Sequence, residues 1–172
     1  LEFRRVLFRS RQTVIWADDA GKAALFNPDG SLRTETRKLL QGGATVVGVD
    51  VLYQGEFLAD GQSLRKTPKV KNPREAAAYT FGYNSTVCAQ RAQDLLTVIS
   101  YVKSNERKSD RIELAGFGEC ASAAVLARVL AGDSVRGAAI HTGGFRFGSV
   151  LDIHSPQFLP GGAKYDDLPG LI

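Results

Sequence analysis

The sequence contains few cysteines and histidines and no long apolar segment. Its 172 residues include two of each, and no apolar run reaches the roughly 18 residues that a membrane-spanning helix needs. Cys88 and Cys120 lack the paired spacings of a metal site or a disulfide framework. We expect both to be buried thiols, which leaves the redox compartment open. These absences exclude a membrane span and a disulfide scaffold, and favour one globular domain.

The first ten residues, LEFRRVLFRS, need separate treatment. They match, codon by codon, the translation of a common high-throughput sequencing adapter, and they lack the apolar core and cleavage site of a signal peptide. We therefore interpret residues 1–10 as an adapter-derived artefact and expect the natural N-terminus to be missing. Without their three arginines and one glutamate, the 22 basic and 18 acidic residues of the chain become 19 and 17. This balance predicts neither nucleic acid nor a membrane surface as a partner.

From residue 12 onward, short apolar runs alternate with longer segments of helical periodicity. This pattern is typical of stacked βαβ units, and it predicts an α/β fold with a mostly parallel sheet. Because the first two strands are nearly continuously apolar, we expect helices on both faces. Ser31 is the predicted N-cap of the first helix, and Gly42-Gly43 its end. The predicted strands cover residues 13–18, 44–53, 111–118 and 135–144, and the predicted helices residues 32–40, 84–105 and 119–131.

Two segments depart from this alternation. Residues 54–75 carry a basic cluster, which we interpret as a solvated surface excursion rather than an anionic-ligand patch, because no aromatic residues interleave the charges. After residue 144 the periodicity is lost, and Asp166 and Asp167 are expected in a turn. We therefore expect residues 11–172 to be one incomplete domain, truncated at both ends and without its later strands. The basic cluster consists of Arg65, Lys66, Lys69 and Lys71.

The segment RIELAGFGECASAAVLARVL, residues 111–130, fits two motifs. As G-x-G-x-x-A it is typical of a dinucleotide-binding turn, in which Gly116 permits the turn, Gly118 admits a pyrophosphate and Ala121 lets the helix pack on the strand. That site also needs an acidic side chain at the end of the next strand, where AAIHTGG offers none. The nearest one, Asp133, we assign to a turn. The sequence therefore predicts no cofactor.

In the second motif, G-x-S-x-G, the same strand, turn and helix form the nucleophile elbow of an α/β-hydrolase. Gly118 then stands at the nucleophile position, Glu119 supplies a backbone N–H to the oxyanion hole, and Cys120 is the small residue at the helix–strand contact. The loop after the first strand supplies the second oxyanion donor in such enzymes, for which Asp19 and Ala20 are candidates. Because glycine cannot attack a carbonyl, this motif predicts an elbow without its nucleophile.

From about residue 13 onward the chain resembles the acetylxylan esterase and dienelactone hydrolase group of the α/β-hydrolase superfamily. The resemblance rests on GVDVLYQGEF, NPREAAAYTFGYN, LAGFGECASA, IHTGGFRFG and FLPGGAKYDDLPG. It implies a three-layer α/β-hydrolase fold and ester hydrolysis through a serine, an acid and a histidine. The implied partner is an acetylated carbohydrate or another small ester, without cofactor or metal. The resemblance is also compatible with a secreted or periplasmic location.

The glycine at position 118 leaves three hypotheses open. The favoured one is an esterase-like homologue without esterase activity. In the second, Cys120 is the nucleophile, because a helix N-terminus would lower the pKa of its thiol; Ser122 lies further from the turn. In the third, the chain is a non-catalytic module that binds carbohydrate or a dinucleotide. We expect His141 and His154 to be strand-end and loop residues, because the acid and histidine of the family follow later strands.

Overall fold

Four parallel strands form the central sheet. The computed structural model describes residues 12–55, 58, 60, 64–67, 80–104, 109–164 and 166–171. The strands lie in the order β2-β1-β3-β4, and each neighbouring pair is parallel. The predicted α/β fold with a parallel sheet is therefore confirmed. The strands are β1 (Gln12–Ala17), β2 (Thr45–Val49), β3 (Arg111–Phe117) and β4 (Gly137–His141).

Three described α-helices pack on the sheet, one on one face and two on the other. Side chains along β1 alternate between the faces. Ile15 and Ala17 join a core with the second and third helices, whereas Val14 and Trp16 pack with Leu39 of the first helix. Helices therefore lie on both faces, as the sequence predicts. They are α1 (Thr34–Gln41), α2 (Val87–Ser104) and α3 (Cys120–Ala131).

The contact between β3 and α3 depends on small residues. Gly116 on β3 faces Ala124 on α3, and a side-chain carbon on Gly116 would lie only 2.6 Å from Ala124 Cβ. Cys120 and Ala121 are fully buried as well, so the packing role that the two motifs assign to them stays a prediction. Gly116 also belongs to the strand rather than to the turn, so its role is close packing.

The boundaries of the helices and strands differ from the predicted ones by a few residues, and the residue at the N-cap of α1 is not the predicted one. β2 ends at Val49, and only Val49 in it is buried, because among the described residues β2 has a neighbouring strand on one side only. Ser31 is wrong as the N-cap. Arg33 precedes the helix without a side-chain cap, and Ser31 Oγ donates to Asp29 Oδ1 at 2.7 Å in the preceding turn. Gly43, with a φ of +86°, follows the end of α1 as predicted.

After β4 the chain forms short 3₁₀ turns and loops, as its lack of periodicity predicts. Asp166 and Asp167 have φ values of +66° and +58°, which confirms them as turn residues. The Asp167 carboxylate accepts the N–H groups of Phe147 at 2.7 Å, Gly148 at 2.7 Å and Leu168 at 2.6 Å. This carboxylate therefore joins the turn at Leu168 to the turn that contains Phe147.

Some predictions concern residues that the structure does not describe. Residues 1–11, with the adapter-like decapeptide, and residues 68–79, with Lys69 and Lys71, lie outside the described residues. In the described part of the basic cluster, Arg65 is exposed and Lys66 pairs with Asp152 at 3.0 Å. Within the described ranges, no helix has the length and apolar character needed to cross a membrane.

Candidate functional site

The loops that follow β1 and β3 meet at the carboxyl edge of the sheet. Because β1 lies between β2 and β3, the chain leaves β1 toward one side for β2 and later returns on the other side for β3. Such a reversal is the place where α/β sheets form ligand crevices. Four of the five predicted site residues lie in these two loops, and the fifth, Cys120, begins the helix that follows; the four are Asp19, Ala20, Gly118 and Glu119.

Gly118 forms the sharp turn between β3 and α3. Its φ of +59° lies in the left-handed region, which favours glycine. The Ala121 N–H donates to the Gly118 carbonyl at 3.1 Å, and α3 begins at Cys120. The strand, turn and helix that an elbow needs are therefore present, with no side chain at the tip of the turn.

The carboxylate of Asp19 fills the space beside Gly118. Its Oδ1 accepts the N–H of Glu119 at 2.6 Å and the N–H of Cys120 at 3.3 Å. A side-chain carbon added to Gly118 would overlap Asp19 Oδ2. The negative charge also suits the N-terminus of α3, where the first N–H groups have no partner within the helix. Asp19 therefore reaches across from the loop after β1 into the place that a nucleophilic side chain on residue 118 would take.

Both predicted oxyanion-hole loops have N–H groups that are engaged within the protein. The Glu119 N–H donates to Asp19, and the Ala20 N–H donates to Asp18 Oδ1 at 3.1 Å within its own loop. The motif predicts a backbone role for Asp19, whereas its contact with the elbow is made by the carboxylate. The Glu119 N–H can therefore meet a substrate oxyanion only after the Asp19 carboxylate moves away.

Cys120 is a buried thiol without the features of an activated nucleophile. Gln54 Nε2 donates to its Sγ at 2.9 Å, and Sγ lies 3.5 Å from the Asp18 carbonyl oxygen. Burial raises the pKa of Cys120 to about 11, although the charge of Arg91 opposes this rise. The expectation of a lowered thiol pKa is therefore wrong, because burial disfavours the charged thiolate.

Cys88 and Ser122 are buried beneath the same turn. Burial raises the pKa of Cys88 to about 11 as well, so the prediction of two buried, free thiols is confirmed. Ser122 Oγ donates to the Glu119 carbonyl at 3.1 Å and lies 3.9 Å from Cys88 Sγ. Since Ser122 is only 1% exposed, its hydroxyl supports the turn from inside the protein.

A buried arginine supports the loop after β2. Arg91 on α2 is 1% exposed, and its Nε donates to the Leu52 carbonyl at 3.0 Å, while Asp94 accepts the Leu52 N–H at 2.9 Å. Among the described residues, Arg91 Nη2 and Gln54 Oε1 are buried without a hydrogen-bond partner. Periodicity alone does not predict this anchor, because Arg91 falls on the apolar stripe of α2 and therefore looks like a core position.

Glu119 places a second carboxyl group in the crevice. Burial raises the pKa of Glu119, and the neighbouring Asp19 raises it further, while Arg91 and Arg65 act in the opposite direction. The exposed Glu119 side chain is therefore close enough to Asp19 for the two like charges to influence each other.

The two histidines are a strand-end residue and a loop residue, as predicted. His141 ends β4, opposite Phe117 in the register of β3 and β4, and is exposed. His154 lies buried in the irregular segment, with Nδ1 3.3 Å from Thr67 Oγ1. Within the described ranges, no three His, Cys, Asp or Glu side chains are grouped so that they could hold a metal ion.

Comparisons with known proteins identify no relative of this chain. No family model matches the chain, and neither a curated protein nor a solved structure is significantly similar to it. The class of protein that the structure defines is thus an α/β protein with a four-stranded parallel sheet, whose carboxyl edge carries a glycine turn filled by a carboxylate.

Proposed function

We propose that this chain is an esterase-like α/β-hydrolase homologue without esterase activity. The position of the Asp19 carboxylate, against Gly118 and on the Glu119 N–H, carries the proposal. Acyl transfer at an elbow needs a side-chain nucleophile and N–H groups that are free to bind the oxyanion. In this chain Gly118 has only a hydrogen atom where the nucleophilic side chain would be. The Glu119 N–H already donates to the Asp19 carboxylate.

A cysteine mechanism and a dinucleotide-binding role have less support from the same contacts. A cysteine mechanism needs an accessible thiolate, whereas Cys120 is fully buried with a raised pKa. A dinucleotide would place its pyrophosphate on the N–H groups at the start of α3. Those groups already hold Asp19, and two anions at one helix N-terminus repel each other.

Labelling and hydrolysis assays on the full chain test the proposal. A fluorophosphonate probe labels activated serines, and 4-nitrophenyl acetate reports general esterase turnover. We expect no stoichiometric labelling, and a hydrolysis rate that rises linearly with ester concentration and is unchanged by Cys120→Ala. A known serine esterase serves as the positive control.

Two results would contradict the proposal in distinguishable ways. Saturable hydrolysis that disappears in Cys120→Ala and after iodoacetamide treatment would favour the cysteine mechanism. Saturable hydrolysis that survives Cys120→Ala would show that another residue supplies the nucleophile.

A further inference from the structure

The carboxylate of Asp50, directly after β2, is enclosed between two glycines. Its side chain is only 9% exposed. Gly21, in the loop after β1, has a φ of +59°, and Gly55, in the loop after β2, has a φ of +55°. A side-chain carbon on either glycine would overlap the Asp50 carboxylate. Both loops therefore approach this carboxylate with backbone alone, a close approach that glycine permits.

Asp50 holds the loop after β1 through its contacts with Lys22. Its Oδ1 accepts the Lys22 N–H at 2.8 Å, and its Oδ2 lies 3.4 Å from Lys22 Nζ. Just before Lys22 the chain closes a turn, in which the Gly21 N–H donates to the Asp18 carbonyl at 2.9 Å. Asp19 lies inside this turn. The position of the Asp19 carboxylate therefore depends on where Asp50 holds Lys22.

The loop after β2 also contacts the first turn of α3, which is the other partner of Asp19. Gln54 is 1% exposed, and its Nε2 donates to Cys120 Sγ at 2.9 Å. The Asp19 carboxylate accepts the N–H groups of Glu119 and Cys120. The two loops and α3 are thus joined pairwise in a closed ring of contacts. Asp50 joins the loops after β2 and β1, Asp19 joins the loop after β1 to α3, and Gln54 joins α3 to the loop after β2.

Tyr53, between Asp50 and Gln54, has a strained backbone. Its φ of +62° lies in the left-handed region, which a bulky side chain rarely adopts. Such a conformation persists where the surrounding contacts fix the backbone, and it is frequent at functional sites. On the other side of the loop, α2 holds both the N–H and the carbonyl of Leu52. The loop after β2 is therefore fixed at every second residue from Asp50 to Gln54.

We infer that Asp50 is a positioning residue, which keeps the Asp19 carboxylate in the elbow by fixing the turn that carries it. The inference rests on the proposed occupation of the elbow by Asp19, and it identifies the contact that maintains this occupation. While Asp50 holds Lys22, the Glu119 N–H stays bound to Asp19. When that contact breaks, the turn moves with Asp19, and the Glu119 N–H becomes available to a carbonyl or carboxylate oxygen of a ligand.

Amide hydrogen exchange of the full chain tests this inference, with the Glu119 and Cys120 N–H groups as reporters of the elbow. Asp50→Ala should speed their exchange about tenfold or more relative to the core amides of β3, because both lose the hydrogen bonds that slow it. Asp50→Asn keeps a side-chain oxygen for the Lys22 N–H and should restore most of the slow exchange. Lys22→Met removes only the ion pair and should speed exchange about two- to threefold. Unchanged exchange in both Asp50→Ala and Lys22→Met would overturn the inference.

Two further variants separate a failure of this inference from a failure of the proposed function. Asp19→Ala removes the carboxylate itself and should speed exchange of both reporters at least as much as Asp50→Ala, which should add nothing further in that background. Asp167→Ala removes a carboxylate that holds backbone N–H groups elsewhere, and should leave both reporters unchanged. If Asp19→Ala does not speed exchange, Asp19 does not occupy the elbow and the proposed function loses its basis. If Asp19→Ala speeds exchange and Asp50→Ala does not, the positioning role alone is overturned.

Discussion

Asp19 and Asp167 are two carboxylates that accept backbone N–H groups in two different parts of the molecule, and the two contacts have different consequences. Each carboxylate accepts N–H groups from a turn that is remote in sequence, and each lies beside a glycine of that turn. Asp19 joins two loops at the carboxyl edge of the sheet, whereas Asp167 joins two turns of the irregular segment. The Asp19 carboxylate fills the position where the motif predicts a nucleophile. The Asp167 carboxylate only connects two turns of the same irregular segment.

The two glycines show how tightly each carboxylate is fitted. A side-chain carbon on Gly118 would overlap Asp19, and its φ of +59° already disfavours any side chain. A side-chain carbon on Gly148 would lie 3.2 Å from Asp167 Oδ2, a contact that a small shift can relieve. The elbow therefore depends on its glycine, while the turn at Phe147 tolerates replacement.

The largest expected effect is the difference between two alanine substitutions. We expect Gly118→Ala to lower the free energy of unfolding by about 2–4 kcal/mol, because the positive φ and the overlap with Asp19 both act against it. Gly148→Ala should cost less than about 1 kcal/mol, because it has only the tight contact. Urea unfolding of both variants measures the difference, and equal costs would show that the elbow is not specially constrained.

Removal of each carboxylate compares the two contacts directly. Asp19→Ala should destabilise the chain by about 1–2 kcal/mol, the range for loss of a helix N-terminal capping residue. Asp167→Ala should also lower the melting temperature, because Phe147, Gly148 and Leu168 lose their acceptor. Asp29→Ala, a change confined to an exposed turn, provides the control. An unchanged melting temperature in Asp19→Ala would contradict the contact at the elbow.

The stability that the Asp167 contact provides should be lost at low pH. Burial raises the pKa of Asp167, but the N–H groups of Gly148, Phe147 and Leu168 outweigh it, so the folded pKa lies below the ordinary 3.8. The stability from this contact is therefore fully present above the unfolded pKa and is lost as pH falls through the folded pKa. Thermal unfolding of the wild type and Asp167→Asn should differ at pH 6 and converge toward pH 2; a constant difference would contradict the shift.

The smallest effect that we expect is the alkylation of the two buried thiols, Cys88 and Cys120, in the native chain. Burial raises the pKa of Cys88 and of Cys120 to about 11, so only about one thiol in a thousand is ionised at pH 8. Iodoacetamide should therefore leave the native chain unmodified over a period that alkylates both cysteines in urea. Rapid modification of Cys120 in the native chain would show an open elbow, unlike the one described.

The sequence predicted the elements well because they depend on local patterns. Strand, turn and helix around Gly118 follow from periodicity and from the glycine itself, whereas the roles assigned to the residues of the two site loops stay predictions. The role of the Asp19 carboxylate was missed, because it depends on the adjacency of β1 and β3, which only the folded sheet provides. Arg91 was missed for a related reason: periodicity cannot distinguish a buried cation that holds a loop carbonyl from an apolar core residue.

A double-mutant cycle between positions 19 and 118 tests most directly whether the Asp19 carboxylate occupies the nucleophile position. Free energies of unfolding are measured for the wild type, Gly118→Ala, Asp19→Ala and the double variant. If the carboxylate fills this space, Gly118→Ala should cost about 1–2 kcal/mol less in the Asp19→Ala background, because the overlap is gone and only the backbone strain remains. Additive costs would contradict the account and would mean that the space beside Gly118 is open.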